Sequence, residues 1–302
     1  MELKEIPVII SPVNKPLAQM GWLVTEHKTV DEITLETFDD AKTDKMATSL
    51  LNKGFYVKSK ELGPHFSDIS ASWHNFSSLW ESLSTDQYMQ DNGKYRKRSY
   101  STMHYQGNNK VALKPYMPLY KSSLYNNFAG NIYRYFDKTD PILYKNQYFK
   151  KALTLATHVF NECAKRKGNE QPEWFIEVDQ YRVVADTDTH GKPTPEGIHS
   201  DGTSYFLLML VDRQNIEGGV SRIYDGNEEL IHETTLTYPG DMMLLNDLDM
   251  LHGVSDISSK MDYANRDILH ISFTDLSAKS AIQRRFGLTD DEVQLVDSLR
   301  VK

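Results

Sequence analysis

Apolar and polar positions fall into two regimes along the chain, with the change near Glu173. Upstream, helical spacing alternates with short extended runs. Asp39–Lys53 has a helical pattern, and Gly54–Lys58 follows as a strand. Ser72–Met89 places Trp73, Phe76, Leu79 and Leu83 at helical intervals, which predicts a core-facing stripe. Gly130–Phe136 reads as a strand. Asp140-Pro141 then opens a long amphipathic helix running towards Lys167. There the Asp caps free backbone N–H groups, and Pro has no donor to lose in the first turn. Gly168 is a natural stop.

Downstream, short β-rich runs follow one another: Trp174–Ala185, Ser204–Val211, Val220–Tyr224, Leu230–Leu236, Met242–Leu245 and Asp267–Phe273. Between them stand turn formers such as Gly191-Lys192-Pro193-Thr194-Pro195, Gly218-Gly219, Asp225-Gly226-Asn227 and Pro239-Gly240. Closely spaced strands predict a sandwich or barrel rather than a parallel α/β sheet. The tail, Ala278 to Gly287 and then Thr289–Leu299, reads as two short helices. The expected organisation is mainly β with flanking helices. It is one domain over 1–302, with a mixed helical region (1–172), a β core (173–275) and C-terminal helices (276–302).

Chemistry enters at Gly197-Ile198-His199-Ser200-Asp201-Gly202. Two positions apart on an extended segment, His199 and Asp201 point to one side. His252 lies some fifty residues later, where a rolled antiparallel barrel brings a strand back beside the first. Two imidazoles and one carboxylate leave three metal positions open, the arrangement of non-haem Fe(II) oxygenases. Those positions suit a bidentate oxo-acid and then dioxygen. The H-x-D spacing alone is weak, but Arg266 strengthens it. On Arg266–Phe273, Leu269, Ile271 and Phe273 share one face with Asp267, while Arg266, Ile268, His270 and Ser272 take the other. An inward Arg fits a buried carboxylate because its planar fork donates two parallel hydrogen bonds. Without the histidines, it would read as a surface residue on an edge strand.

Other residues carry two readings each. Gln180 and Arg182 alternate along Glu177–Val184 and either hold the oxo-acid or form an exposed edge pair. Tyr205, on the face of His199 and Asp201, either bonds the oxo-acid or packs. Asp247 either orients His252 through its second nitrogen or serves a turn. Arg96-Lys97-Arg98 is by default a solvated basic run, with substrate-carboxylate binding as the alternative. His270 reads as a satisfied barrel histidine, and His190 and His232 as bystanders.

Composition narrows the partners. The chain has 302 residues, 39% of them hydrophobic, and a net charge of −8, which disfavours nucleic acid. Cys163 is the only cysteine, so an internal disulfide and a thiolate zinc site are excluded; it reads as an ordinary helix position. Met1 to Met20 is too interrupted for a signal peptide or a membrane span. A soluble protein of the reducing cytoplasm is the expectation, and the charge balance says nothing about a small-molecule substrate.

The segments His199-Ser200-Asp201-Gly202, Gly218–Tyr224, Leu251-His252-Gly253-Val254 and Arg266-Asp267-Ile268-Leu269 resemble the bacterial 2-oxoglutarate/Fe(II) dioxygenases. That family includes the L-isoleucine dioxygenases, which act on free L-amino acids. The likeness covers about Trp174 to Phe273 and is looser at Tyr95–Tyr100 and Asn127–Gly130. It implies a double-stranded β-helix (a jelly-roll, cupin-like barrel) with His199, Asp201 and His252 as iron ligands. It also implies Arg266 as the clamp for the distal carboxylate of 2-oxoglutarate, O2 as co-substrate and a free L-amino acid as substrate. Related halogenases lack the carboxylate ligand; Asp201 is present, which favours hydroxylation. Desaturation, action on a protein and a non-catalytic metabolite-binding barrel stand as the rival readings.

Overall fold

Burial on both faces explains why Tyr205–Val211 and Met242–Leu245 read as nearly unbroken apolar runs. The computed structural model describes residues 31–63, 71–123 and 125–294. The stretch Met1 to Met20 lies outside them, as does the end of the last expected helix, which is helical over 290–294.

Upstream elements form where local chemistry starts and stops them. After β1 (Glu32–Thr34), helix α1 (Asp40–Lys53) begins at Asp39, whose carboxylate accepts the Lys42 N–H at 3.0 Å. It ends at Gly54, whose left-handed φ of 83° lets its N–H reach Leu50 O, before β2 (Phe55–Lys58). The expected Ser72–Met89 helix is shorter. Here α2 (Ala71–Ser77) passes into a 3-10 turn (Ser78–Trp80), and the Trp80 indole N–H donates to Ile268 O at 3.1 Å. That bond ties the turn to the sheet. Next come β3 (Ser84–Thr85), β4 (Arg96–Tyr105), β5 (Lys110–Leu113) and the antiparallel pair β6 (Leu119–Tyr120) and β7 (Tyr133–Arg134). The expected Gly130–Phe136 strand thus pairs over only two residues. The long helix from Asp140 is broken at Asn146, into α3 (Pro141–Lys145) and α4 (Gln147–Arg166). Asn146 is extended and its side chain caps Tyr148 N–H, restarting the helix.

The remaining strands are β8 (Trp174–Ala185), β9 (Tyr205–Gln214), β10 (Glu217–Gly218), β11 (Ser221–Tyr224) and β12 (Leu230–Thr234). They continue through β13 (Met242–Asn246), β14 (Leu251–Val254), β15 (Ile257–Ser258) and β16 (Ala264–Asp275), then helix α5 (Lys279–Phe286). The major sheet runs β1-β5-β4-β8-β16-β9-β13-β2, with β3 on β4. Facing it is a minor sheet β12-β11-β14, extended by a bridge between His199 and His252, and a β10-β15 pair. Two antiparallel sheets of one rolled chain make the double-stranded β-helix, a mainly β fold with flanking helices.

Alternation along each strand divides two cores. On β9, Leu207, Met209 and Val211 pack under α1 and α4, with Leu50, Leu153 and Phe160. Phe206, Leu208 and Leu210 face inward, towards Ile223, Leu245 and Ile268. Cys163 is buried in α4, and burial pushes its thiol up to about 12, in keeping with a packing role. No helix among the described residues is long and apolar enough to cross a membrane.

Strand β4 is a finding that periodicity missed, because it carries charge inside. Arg96 and Arg98, expected in a solvated run, are 5% and 2% exposed. They are buried because Asp86 and Asp179 meet them: Arg96 Nε donates to Asp86 at 3.0 Å, and Arg98 bonds Asp179 while stacking on Phe136 and Tyr181.

Helix α5 is docked by a similar pair. The fully buried Arg285 donates from Nε to Glu177 at 2.6 Å and from its Nη atoms to Glu177 and the Tyr120 carbonyl, while Tyr100 OH also donates to Glu177. Removing one partner strands the other charge, so Arg285→Met is expected to lower unfolding free energy by about 3–5 kcal/mol, read from a urea titration as a lower midpoint at unchanged slope.

Candidate metal centre

His199 and Asp201 lie in the connection from β8 to β9, and backbone geometry presents them together. His199 bridges to β14, its N–H donating to His252 O at 3.0 Å and the His252 N–H returning at 2.8 Å. Glycines in the left-handed region stand on either side, Gly197 at φ 80° and Gly202 at φ 74°. At Gly202 a Cβ would also lie 2.9 Å from the Tyr125 ring. The post of this loop is Asp247, wholly buried between β13 and β14. Its carboxylate accepts the N–H groups of Asp201 (3.0 Å) and Thr203 (2.8 Å), and the hydroxyls of Thr203 and Ser200 (3.1 Å each). Asp247 stands in a turn, as one of the two readings had it, but its side chain holds this loop, a role neither reading gave it. The His252 Nδ1 is 3.7 Å from Asp247, beyond hydrogen-bond reach.

The three candidate ligands converge. Their donor atoms lie within 4.8 Å of one another. His199 Nε2 is 3.8 Å from Asp201 Oδ1, and His252 Nε2 is 3.8 Å from Asp201 Oδ2. Donors each about 2 Å from a common ion stand no more than about 4 Å apart, so a small inward adjustment closes the group on one divalent cation. The His199 Nδ1–H donates to Gly197 O at 3.0 Å, since a carbonyl only accepts, and this leaves Nε2 with its lone pair free. Burial and the neighbouring His199 hold His252 well below the usual histidine range, against the pull of Asp201. Asp201 is held well below the carboxylate range: burial opposes ionisation, but Lys121 and the surrounding histidines outweigh it. A neutral His252 beside an ionised carboxylate suits metal binding. His270 is a neighbour, its Nε2 3.5 Å from Asp201 Oδ2, outside the group of three.

The contact that sequence reasoning missed is Lys121, just after β6, whose ammonium bonds Asp201 Oδ1. A single Lys in a polar connection carries no signal of it.

Between the sheets, the pocket beside these residues is lined by Tyr181 and Val183 from β8, Leu208 from β9 and Arg266, Ile268 and His270 from β16. Arg266 is 3% exposed, and its Nε and Nη2 have no hydrogen-bond partner among the described residues. Burial and the nearby Arg213 push it down to about 10. A buried, unsatisfied guanidinium is costly unless an anion completes it.

Three other candidates do not join the site. On β8 the odd-numbered Tyr181 and Val183 line the pocket, so Gln180 and Arg182 point the other way. Gln180 accepts from Ser99 Oγ at 2.8 Å. Arg182 is held by Asp267 (2.8 and 2.6 Å) and Glu81 (2.7 and 2.8 Å). Tyr205 stacks on Phe160 at 5.0 Å in the core under the helices. The turn at Gly202 resets the alternation, so sharing parity with Asp201 does not mean sharing a face.

The sequence profile described as 2OG-Fe dioxygenase matches residues 77–272. The chain belongs to the 2OG-Fe dioxygenase family. Enzymes of this family use Fe(II), 2-oxoglutarate and O2, and the His-Asp-His group accords with that. The fold is similar to that of a bsmA homolog from Methylobium petroleophilum PM1, at 22% identity and TM-score 0.66, over 80% of this chain and 96% of that one. It is similar too to IDO from Bacillus thuringiensis (18%, TM-score 0.65, 77% and 99%). The Fe(II)/α-ketoglutarate-dependent dioxygenase TqaL is a further likeness (16%, TM-score 0.60, 78% and 87%). No curated protein matches the chain in sequence.

Two substitutions should move metal affinity in opposite directions. Asp247→Ala frees the ligand loop and is expected to weaken Mn(II) binding about 10- to 100-fold. Lys121→Met removes a competing cation and is expected to tighten it roughly tenfold. Calorimetric titration of each purified variant with Mn(II) checks both.

Proposed function

We propose that the protein hydroxylates an unactivated C–H of a small substrate, a free L-amino acid, with His199, Asp201 and His252 as the Fe(II) ligands and Arg266 as the clamp for 2-oxoglutarate. The observation that carries this reading is the pairing, in one pocket, of a compact His-Asp-His group with a buried arginine lacking an anion. The balance is substrate R–H, 2-oxoglutarate and O2 going to R–OH, succinate and CO2. Iron bound at the group supplies the activation of O2 that drives this exchange.

The chain supplies position and charge. The Gly197 carbonyl fixes the His199 tautomer, and Asp247 holds the Asp201 backbone. Arg266 offers two free N–H groups for a distal carboxylate, and Ile268 and His270 continue its face towards Asp201. A carboxylate end gripped there sets the depth at which the oxo-acid end meets the metal. Asp201 takes the place that a halide would need, which supports hydroxylation over halogenation. A pocket walled by both sheets fits a small substrate better than a peptide strand. The same reading takes residues 1–302 as one domain acting in the cytoplasm.

The test is anaerobic reconstitution with Fe(II), then addition of air, 2-oxoglutarate and a panel of L-amino acids. Succinate formation with a one-oxygen mass gain on one member is the expected result. His199→Ala should abolish succinate. Arg266→Ala should raise the KM for 2-oxoglutarate by about 10- to 100-fold, the worth of a charged hydrogen-bonded pair. An iron-loaded protein that neither binds 2-oxoglutarate nor releases succinate would rule the reading out.

A further inference from the structure

Arg266 is not the only charge in this region left without a counterpart. Glu196 lines the same pocket, its side chain 11% exposed. Its Oε1 is 3.7 Å from His199 Nε2, and its Oε2 is buried with no hydrogen-bond partner among the described residues. Among the described residues no lysine or arginine closes on it. A second unmatched charge, Arg134 on β7, lies outside the pocket lining but beside two of its residues. It is 2% exposed, and neither its Nε nor its Nη2 has a partner among the described residues. Its electrostatic neighbours are Arg98, Tyr181, Arg96 and Asp86, and both Arg96 and Tyr181 are pocket lining.

Counting charges isolates it. Arg96 is matched by Asp86 and Arg98 by Asp179, which leaves Arg134 as the surplus cation of the cluster. Burial and the two neighbouring arginines push it down to about 10, so holding it there is costly. Chains shed a buried unpaired cation when nothing requires it, since an apolar replacement of similar volume is commonly neutral or stabilising. With Arg266 assigned to the oxo-acid, Glu196 and Arg134 still hold buried polar atoms with no partner among the described residues.

Resting on the function proposed above, we infer that Glu196 and Arg134 set specificity for a zwitterion: Glu196, in the lining, accepts the substrate ammonium, and Arg134, beside lining residues Arg96 and Tyr181, supplies the positive charge that offsets its carboxylate. A small molecule with both charges gains at both ends. An amine without the acid leaves Arg134 unmatched, and an acid without the amine leaves Glu196 unmatched. Discrimination of this kind is steep, because a missing partner leaves a buried polar group unpaired.

The experiment is equilibrium dialysis of the anaerobic Fe(II)- and 2-oxoglutarate-loaded protein against an equimolar mixture of the twenty L-amino acids. Mass spectrometry reads what is retained. The retained amino acid is then compared with its own decarboxylated amine and its own deaminated acid. The wild type should retain at least one amino acid and prefer it at least tenfold over both analogues. Glu196→Gln should lose the preference over the acid, and Arg134→Met the preference over the amine. Arg134→Met should also melt at the same temperature as the wild type or higher, whereas a purely structural arginine would lower it. Retention of no amino acid by a wild type that still forms succinate overturns this inference and leaves the iron chemistry standing. So do variants that keep both preferences, or an Arg134→Met protein that loses stability with its preference intact. Failure to bind 2-oxoglutarate at all defeats the underlying function as well.

Discussion

Strand β16 is the constraint on which the rest depends. It pairs with β8 through twelve residue positions and with β9 on its other edge, and its side chains therefore serve two opposite clients. Leu269, Ile271 and Phe273 enter the helix-covered core, while Arg266, Ile268 and His270 form a wall of the pocket. Because the side-chain period is two, a slip of one residue would put the guanidinium among the helices and the phenylalanine in the site. Fold and chemistry are thus specified by one register.

Charge is the second theme. The β-helix buries several ion pairs, among them Arg98 with Asp179, Arg182 with Asp267 and Arg285 with Glu177. Each costs desolvation that its attraction roughly offsets, so such pairs place elements more than they stabilise them. Arg182 joins the 3-10 region to the sheet through Glu81, and Arg285 joins the C-terminal helix to β8. Against this background of matched charges, Arg266 and Glu196 stand out: each has a buried polar atom with no partner among the described residues, and both line the pocket beside the metal group.

The barrel and its His-Asp-His group were largely legible because both rest on patterns local in sequence. Apolar runs between turn formers revealed β8, β9, β13 and β16, and the H-x-D pair, the later His and the inward Arg are spelled out by spacing and strand parity. What was not legible depends on long-range pairing. Strand β4 reads as polar until Asp86 and Asp179 are seen opposite its arginines. Gln180 and Arg182 had the right strand but the wrong face, and nothing local says which face of β8 meets the helices. Tyr205 was misplaced because alternation does not carry across a left-handed turn. Lys121 and Arg134 sit in or beside very short strands, where sequence has little periodicity to read.

The placement of sulfur bears on durability. Among the described residues that line the pocket there is no cysteine, methionine or tryptophan. The chain's lone thiol, Cys163, lies beneath the far face of the major sheet, buried and held in its unreactive protonated form. Oxidation of side chains follows thiolate character and access. An oxidant that escapes its substrate therefore meets aliphatic carbon, imidazole and one phenol before it meets sulfur, and the fold is partly shielded from the wear of its own turnover.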